Sequence, residues 1–279
     1  MQRAKGDGVV IQLAIREGKA KPILCVHGLT ANCRCWDLIA SELAPTYRVL
    51  AMDLRGRGLS DKPARGYSLE RHVRDIHGVL NDLGLEQAVL MGHSLGAYIA
   101  MAFAADCPER VEKLVLLDGG AALTPEQWDQ VALGIKPSVD RLGQIFPSWP
   151  AFLETMKQAP FLHPWSPFIE EYFRYEIEEI EGGVRSRTHP AHIREEVANL
   201  RQVEPARFYP QLSCPVLILR ATEGLLSRDD LVLPEAAVER MLREISGARR
   251  VDLPGSNHYS ILLQPNEMRD RALRSFLEP

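Results

Sequence analysis

The stretch VLMGHSLGAYIAMAF, residues 89–103, decides how this chain is read. An apolar run reaches Gly92, turns through His93, Ser94 and Leu95, and becomes a second apolar run after Gly96. The first run reads as the end of a buried strand, and the second suits a helix that is apolar nearly all round. A polar Ser94 at that junction fits a G-x-S-x-G nucleophile elbow, in which a tight strand-to-helix turn exposes the serine hydroxyl. Gly92 and Gly96 carry no Cβ to obstruct the close backbone approach such a turn needs. The following helix would aim its first amides at the same spot, where they favour an anion.

Working outward, apolar strand patterns alternate with helical ones. GVVIQLAI, KPILCVHG, YRVLAMDLRGRG, QAVLMGHS, VEKLVLLDGG, CPVLILRAT and ARRVDLPGSNH read as strands. Continuous apolar strands suit a parallel sheet covered on both faces. Leu69, Val73, Ile76, Leu80 and Leu83 form one face of a helix, with Ser68 as its N-cap and Gly84 as its stop. The fold expected is α/β, a doubly wound, mostly parallel sheet. The rhythm breaks between residues 121 and 210, a stretch rich in Pro, Trp, Phe and Tyr and without a strong strand. It is expected to be a helical insertion over the C-terminal edge of the sheet. Residues 1–120 and 211–279 then form the core. EIEEIEGGVRSRTHPAHIREE is expected to be a turn between helices of the insertion.

The 279 residues suit one large domain with an inserted part, and a net charge of −4 argues against nucleic acid or an anionic membrane as partner. The N-terminus lacks the pattern of a signal peptide, and no charge-free run has membrane-spanning length. The five scattered cysteines suggest reduced thiols and a cytoplasmic home. Cys33 and Cys35 lack the second ligand pair of a zinc site, so they read as small apolar fillers.

A serine is a weak nucleophile and needs a base. Of eight histidines, His258 is best placed, in a loop after the last strand and before the last helix. His27 would buttress the loop around Gly28, and the others lie on a helix, in the insertion or beside the nucleophile.

HGLT, DLRGRGLSDKP, GHSLG and GSNHYSIL together resemble the α/β-hydrolase family. The resemblance covers Ile23 to Arg110 and Pro215 to the C-terminus, with the insertion in place of that family's cap domain. It implies Ser94 as nucleophile and His258 as general base. It also implies an oxyanion hole from the backbone N–H groups of Leu29 and Leu95. The triad's acid is open on the sequence. Relatives place it after the strand that follows the nucleophile helix, here Asp118, or one strand later. The later site usually reads Gly-x-x-Asp, but here Ala221 and Gly224 stand at those positions, with Glu223 one residue early. Asp118 is the first choice, Glu223 the alternative, and Asp229 and Asp230 are outsiders.

These residues predict a serine hydrolase acting on a small ester, lactone or activated amide, with no metal or organic cofactor. Serine-triad relatives also cleave carbon–carbon bonds or perform perhydrolysis, and a non-catalytic ligand receptor could keep the same fold. Trp165, Phe168 and Tyr172 are candidate substrate-binding residues within the aromatic insertion. Arg174, Arg185 and Arg187 could clamp a carboxylate, although exposed arginines are commoner. The partner expected is a small-molecule substrate, and oligomeric state is not readable.

Overall fold

A computed structural model describes residues 1–278 of the chain. The strands are β1 (Gln2–Lys5), β2 (Val10–Arg16), β3 (Ala20–Val26), β4 (Tyr47–Met52), β5 (Ala88–His93), β6 (Val111–Leu117), β7 (Ile177–Ile180), β8 (Gly183–Ser186), β9 (Val216–Ala221) and β10 (Arg249–Leu253). Eight form one sheet in the order β1-β2-β4-β3-β5-β6-β9-β10. Within this sheet the β1/β2 and β2/β4 pairings are antiparallel and the other five are parallel. The helices are α1 (Asp37–Leu43), α2 (Leu69–Asp82), α3 (Leu95–Asp106), α4 (Pro125–Asp140), α5 (Trp149–Lys157), α6 (Pro167–Glu176), α7 (Pro190–Leu200), α8 (Glu235–Glu244), the single turn α9 (Ser260–Leu263) and α10 (Glu267–Leu277).

The apolar strands follow from burial on both faces. Leu24, Leu50, Leu90, Leu116 and Ile218 point to the side covered by α2, α3 and α8. Their neighbours Cys25, Val49, Met91, Leu117 and Leu219 point to the side covered by α1 and α10. Successive side chains alternate across a strand, so both sets must be apolar. α3 runs beneath the sheet with every residue from Leu95 to Ala104 buried. On α2, Leu69, Ile76 and Leu80 are buried, and Val73 and Leu83 pack at the margin. β1 was not expected: QRAK is mostly exposed and carries no apolar pattern.

Between the neighbouring strands β6 and β9 the chain inserts α4 to α7 and the β7–β8 hairpin. The hairpin corrects the expected turn between helices. Ile177–Ile180 pairs with Gly183–Ser186 around Glu181 and Gly182, whose φ is +88°. Most aromatics of the insertion pack against one another. Phe152 meets Phe146, Trp149 and Phe173 at ring separations of 5.1, 5.8 and 5.8 Å. Among the described residues no helix is long and apolar enough to cross a membrane.

Candidate active site

β5 ends at His93 and α3 begins at Leu95, so Ser94 occupies the turn between them with φ 55° and ψ −122°. A Cβ on Gly92 would lie 2.2 Å from the Gly96 oxygen, and one on Gly96 would lie 2.0 Å from the Val26 oxygen. The tight turn therefore requires glycine on both sides of Ser94. Among the described residues, Ser94 and Asp118 are the two non-glycine residues with positive φ. Such backbone costs about 1–3 kcal/mol and persists where the surroundings hold it. Here the Ser94 N–H donates to the Leu117 carbonyl, and the Asp118 N–H to that of Leu219.

Asp118 follows β6 with its side chain 2% exposed. Its Oδ1 accepts from the Ala221 N–H at 3.2 Å, and its Oδ2 lies 2.8 Å from His258 Nδ1. His258 follows β10 and shares a chamber with Ser94. Glu223 is exposed, and among the described residues its carboxylate hydrogen-bonds only with the neighbouring Thr222 hydroxyl. Asp229 is exposed, and Asp230 accepts from the amides of Leu225, Leu226 and Ser227. Of the four carboxylates weighed, Asp118 is the one against the His258 imidazole.

Two further histidines brace this centre. His93 Nε2 lies 2.8 Å from the His258 carbonyl oxygen and donates to it. Its ring packs 4.4 Å from the His258 ring. Burial and the neighbouring His258 hold its pKa well below the usual histidine range, so His93 stays neutral. His27 donates from Nδ1 to the Gly28 carbonyl at 2.7 Å, and its Nε2 accepts from the Leu54 N–H. The Gly28 carbonyl belongs to the peptide unit that carries the Leu29 N–H. A trans peptide points these groups in opposite directions, so His27 fixes where the Leu29 N–H aims. The Leu29 carbonyl is held in turn by Arg57 Nε at 3.0 Å. Leu29 and Leu95 both line the larger space at Ser94.

Two chambers open at Ser94. The larger, about 400 Å³, runs between α4 and α7 past Tyr98, Trp128, Val131, Ile135, Val197 and Leu200. The smaller, about 40 Å³, is lined by His258, Tyr172, Tyr259 and Leu262. Tyr172 thus lies at the site. Trp165 and Phe168 line neither chamber. Trp165 stacks on Phe173 at 5.9 Å, and Phe168 is 45% exposed. Arg174 lies over Trp149, and Arg185 and Arg187 pair with Glu178, so none of the three approaches Ser94. Cys33 and Cys35 are buried free thiols whose pKa values burial pushes up. Among the described residues no group of His, Cys, Asp and Glu side chains is arranged to hold a metal.

A profile of the alpha/beta hydrolase fold matches residues 21–265. The chain belongs to the α/β-hydrolase family. It is 28% identical over 270 residues to the 2-(acetamidomethylene)succinate hydrolase of Mesorhizobium japonicum, spanning 96% of this chain and 92% of that protein. A crystal structure of E-2-(acetamidomethylene)succinate hydrolase superposes with a TM-score of 0.85 at 25% identity, over 100% of this chain and 98% of that one. A thermophilic esterase from Thermogutta terrifontis, with malate bound, superposes with a TM-score of 0.74 at 25% identity, over 99% and 97% of the two chains. The chain is thus a hydrolase of the α/β fold.

In this α/β-hydrolase the DLRGRGLSDKP loop also carries buried charged contacts. Arg57 and Glu196 pair at 2.9 Å, and His72 Nε2 lies 2.9 Å from the same carboxylate, all three nearly without exposure. Asp53 accepts from Tyr175 at 2.6 Å and from the Cys33 amide at 2.7 Å. Glu195 accepts from the amides of Gly66 and Tyr67. The loop is where α7 and the end of α6 dock. The sequence held one hint of this, two arginines alternating with two glycines, but nothing in it pointed to Glu196.

Proposed function

We propose that this hydrolase works through an acyl-enzyme on Ser94. The observation that carries this reading is the 2.8 Å contact of Asp118 Oδ2 with Nδ1 of the imidazole that shares Ser94's chamber. A carboxylate there holds the proton on Nδ1 and leaves Nε2 free to take the Ser94 proton. Ser94 Oγ attacks the substrate carbonyl, and His258 receives the proton. Charge develops on the carbonyl oxygen. The amides of Leu29 and Leu95 receive it, and losing one such donor typically costs about 3–4 kcal/mol. His258 returns its proton to the leaving group, then activates the water that releases the acid. The chemistry suits a small ester, a lactone or an activated amide. Residues 1–120 and 211–279 supply the chemistry, and 121–210 serve as a cap that walls the chambers.

An alkyl fluorophosphonate tests the reading without assuming a substrate. It should label the wild-type chain at Ser94, as located by peptide mass, and leave Ser94→Ala unlabelled. Labelling elsewhere, or none, would remove the basis for the mechanism.

A further inference from the structure

The two chambers at Ser94 differ about tenfold, at roughly 400 and 40 Å³. Their positions relative to His258 give that difference a chemical meaning, given the serine mechanism proposed above. When the acyl-enzyme forms, the Ser94 Oγ–carbon bond is made and the bond from that carbon to the leaving oxygen breaks. The proton taken from Ser94 passes from His258 to the leaving oxygen, which departs as an alcohol. The leaving group must therefore sit against His258, which lines the small chamber and not the large one. A single water needs about 10–15 Å³, so this space takes a group of roughly three heavy atoms. Tyr172 and Tyr259 stand between it and a further cavity of about 360 Å³. The Tyr259 hydroxyl is fixed there by a hydrogen bond with Ser138. The acyl part is left the large chamber, whose walls at Leu123, Trp128, Val131, Val197 and Leu200 are apolar.

Four charged side chains also line the large chamber: Lys136, Asp140, Arg194 and Arg201. Lys136 pairs with Asp140, and Arg201 pairs with Asp129 at 3.3 Å. Arg194 has no ionic or hydrogen-bonding partner among the described residues, and it is exposed at the solvent side of the apolar space. A guanidinium offers a fork of donors that matches a carboxylate.

We propose that the substrate is an ester of a very small alcohol, methyl or ethyl, whose acyl chain fills the space between α4 and α7 and ends in a carboxylate received by Arg194. Hydrolysis adds one water across the ester bond. It yields the small alcohol and a dicarboxylic acid, and Ser94 regains its proton.

Two isomeric esters test the division of space. Methyl octanoate places its long chain on the acyl side, and heptyl acetate places it on the alcohol side. The ratio of their kcat/KM values should favour methyl octanoate by about ten-fold or more, since two methylenes left unburied already account for that much. The monomethyl ester of octanedioic acid should be turned over better still. Arg194→Gln should lower the ratio of half-ester to methyl octanoate by about five-fold, chiefly through KM, as an exposed ion pair allows. Faster Ser94-dependent hydrolysis of heptyl acetate would overturn the proposal while leaving the serine mechanism standing. An unchanged half-ester ratio in Arg194→Gln would overturn the carboxylate assignment. A chain with neither fluorophosphonate labelling nor Ser94-dependent ester hydrolysis would lose the mechanism, and this inference with it.

Discussion

Replacing Asp118 with Asn keeps the shape of the side chain and removes its ability to accept on both oxygens. In the native arrangement Oδ1 accepts from the Ala221 N–H at 3.2 Å, and Oδ2 faces His258 Nδ1 at 2.8 Å. The Ala221 N–H is a fixed backbone donor in a buried position, so the Asn oxygen must serve it. The Asn NH2 is then turned toward His258 Nδ1. Two donors cannot share a hydrogen bond, and the imidazole responds by moving its proton to Nε2. That tautomer cannot take a proton from Ser94. The expected loss in kcat is about 10⁴-fold, the size seen when a triad histidine is held in the wrong tautomer. That corresponds to about 5.5 kcal/mol of transition-state stabilisation. Titration of the acid released from a methyl ester measures it. The fluorophosphonate labelling rate should fall in parallel, and circular dichroism should show a folded chain. Glu223→Gln is the comparison. Its exposed carboxylate has the Thr222 hydroxyl as its one hydrogen-bond partner among the described residues, so turnover should stay within about two-fold of wild type. A folded Asp118→Asn chain whose turnover lies within about ten-fold of wild type would refute the reasoning.

Three further predictions rest on neighbouring groups. His93→Leu strips the donor from the buried His258 carbonyl, which should cost about 1–3 kcal/mol in urea unfolding. It should lower kcat more than it changes KM, and His93→Gln, which can offer an amide N–H, should recover much of the loss; equal effects of the two variants would exclude this role. Acid should destabilise the fold in two stages. Burial lowers the His27 pKa to about 3, so the unfolded chain gains a proton first and stability falls as pH drops below about 6.5. Burial pushes Glu196 up, but His72 and Arg57 more than offset it and set its pKa at about 2. Its contribution is complete above about pH 4.5 and is lost below, on the order of 3 kcal/mol in all. A urea midpoint that stays constant from about pH 7 to 5 would contradict the His27 assignment, and one that stays constant from about pH 4.5 to 2 would contradict that of Glu196. Tyr172→Ala should join the small chamber to the cavity of about 360 Å³ behind it, raising heptyl acetate hydrolysis relative to methyl octanoate by about ten-fold or more; an unchanged ratio would show that the ring is not the barrier.

What the sequence revealed, and what it hid, divides along a physical line. Ser94 was legible because a strand, two close-approach glycines and an apolar helix must all be encoded locally. The central strands were legible because burial on both faces leaves continuous apolar runs. The choice between Asp118 and Glu223 was not, because it depends on where two loops bend. Asp118 meets His258 from a left-handed backbone conformation, φ 44°, that no local pattern announces. The β7–β8 hairpin was missed because its strands, IEEI and GVRS, are only four residues each and carry no apolar alternation. Its pairing rests on Glu178 opposite Arg185 and a Glu-Gly-Gly turn, a weaker signal than apolar alternation. Trp165 and Phe168 were misplaced for a related reason. An aromatic residue in a helical insertion packs against its neighbours before it lines a pocket, and Trp165 does so against Phe173.

The same division bears on how the large chamber acquires its shape. Its walls at Val131, Ile135, Val197 and Leu200 are ordinary apolar positions on α4 and α7 that could pack at several offsets. Apolar contact is non-directional, so it does not by itself fix where α7 sits. The Arg57–Glu196–His72 cluster does discriminate. Any shift of α7 would leave a charge desolvated without its partner, a penalty of several kcal/mol. Glu196 thus sets the position of α7, while Val197, one residue further on, lines the large chamber. Substitutions at the two neighbours should separate accordingly. Glu196→Gln should reduce turnover of long and short acyl chains alike by loosening the wall. Val197→Phe should leave urea stability nearly intact and shorten the acyl chain that is accepted. If both variants shifted chain-length preference in the same way, the charged cluster would not be what places the helix.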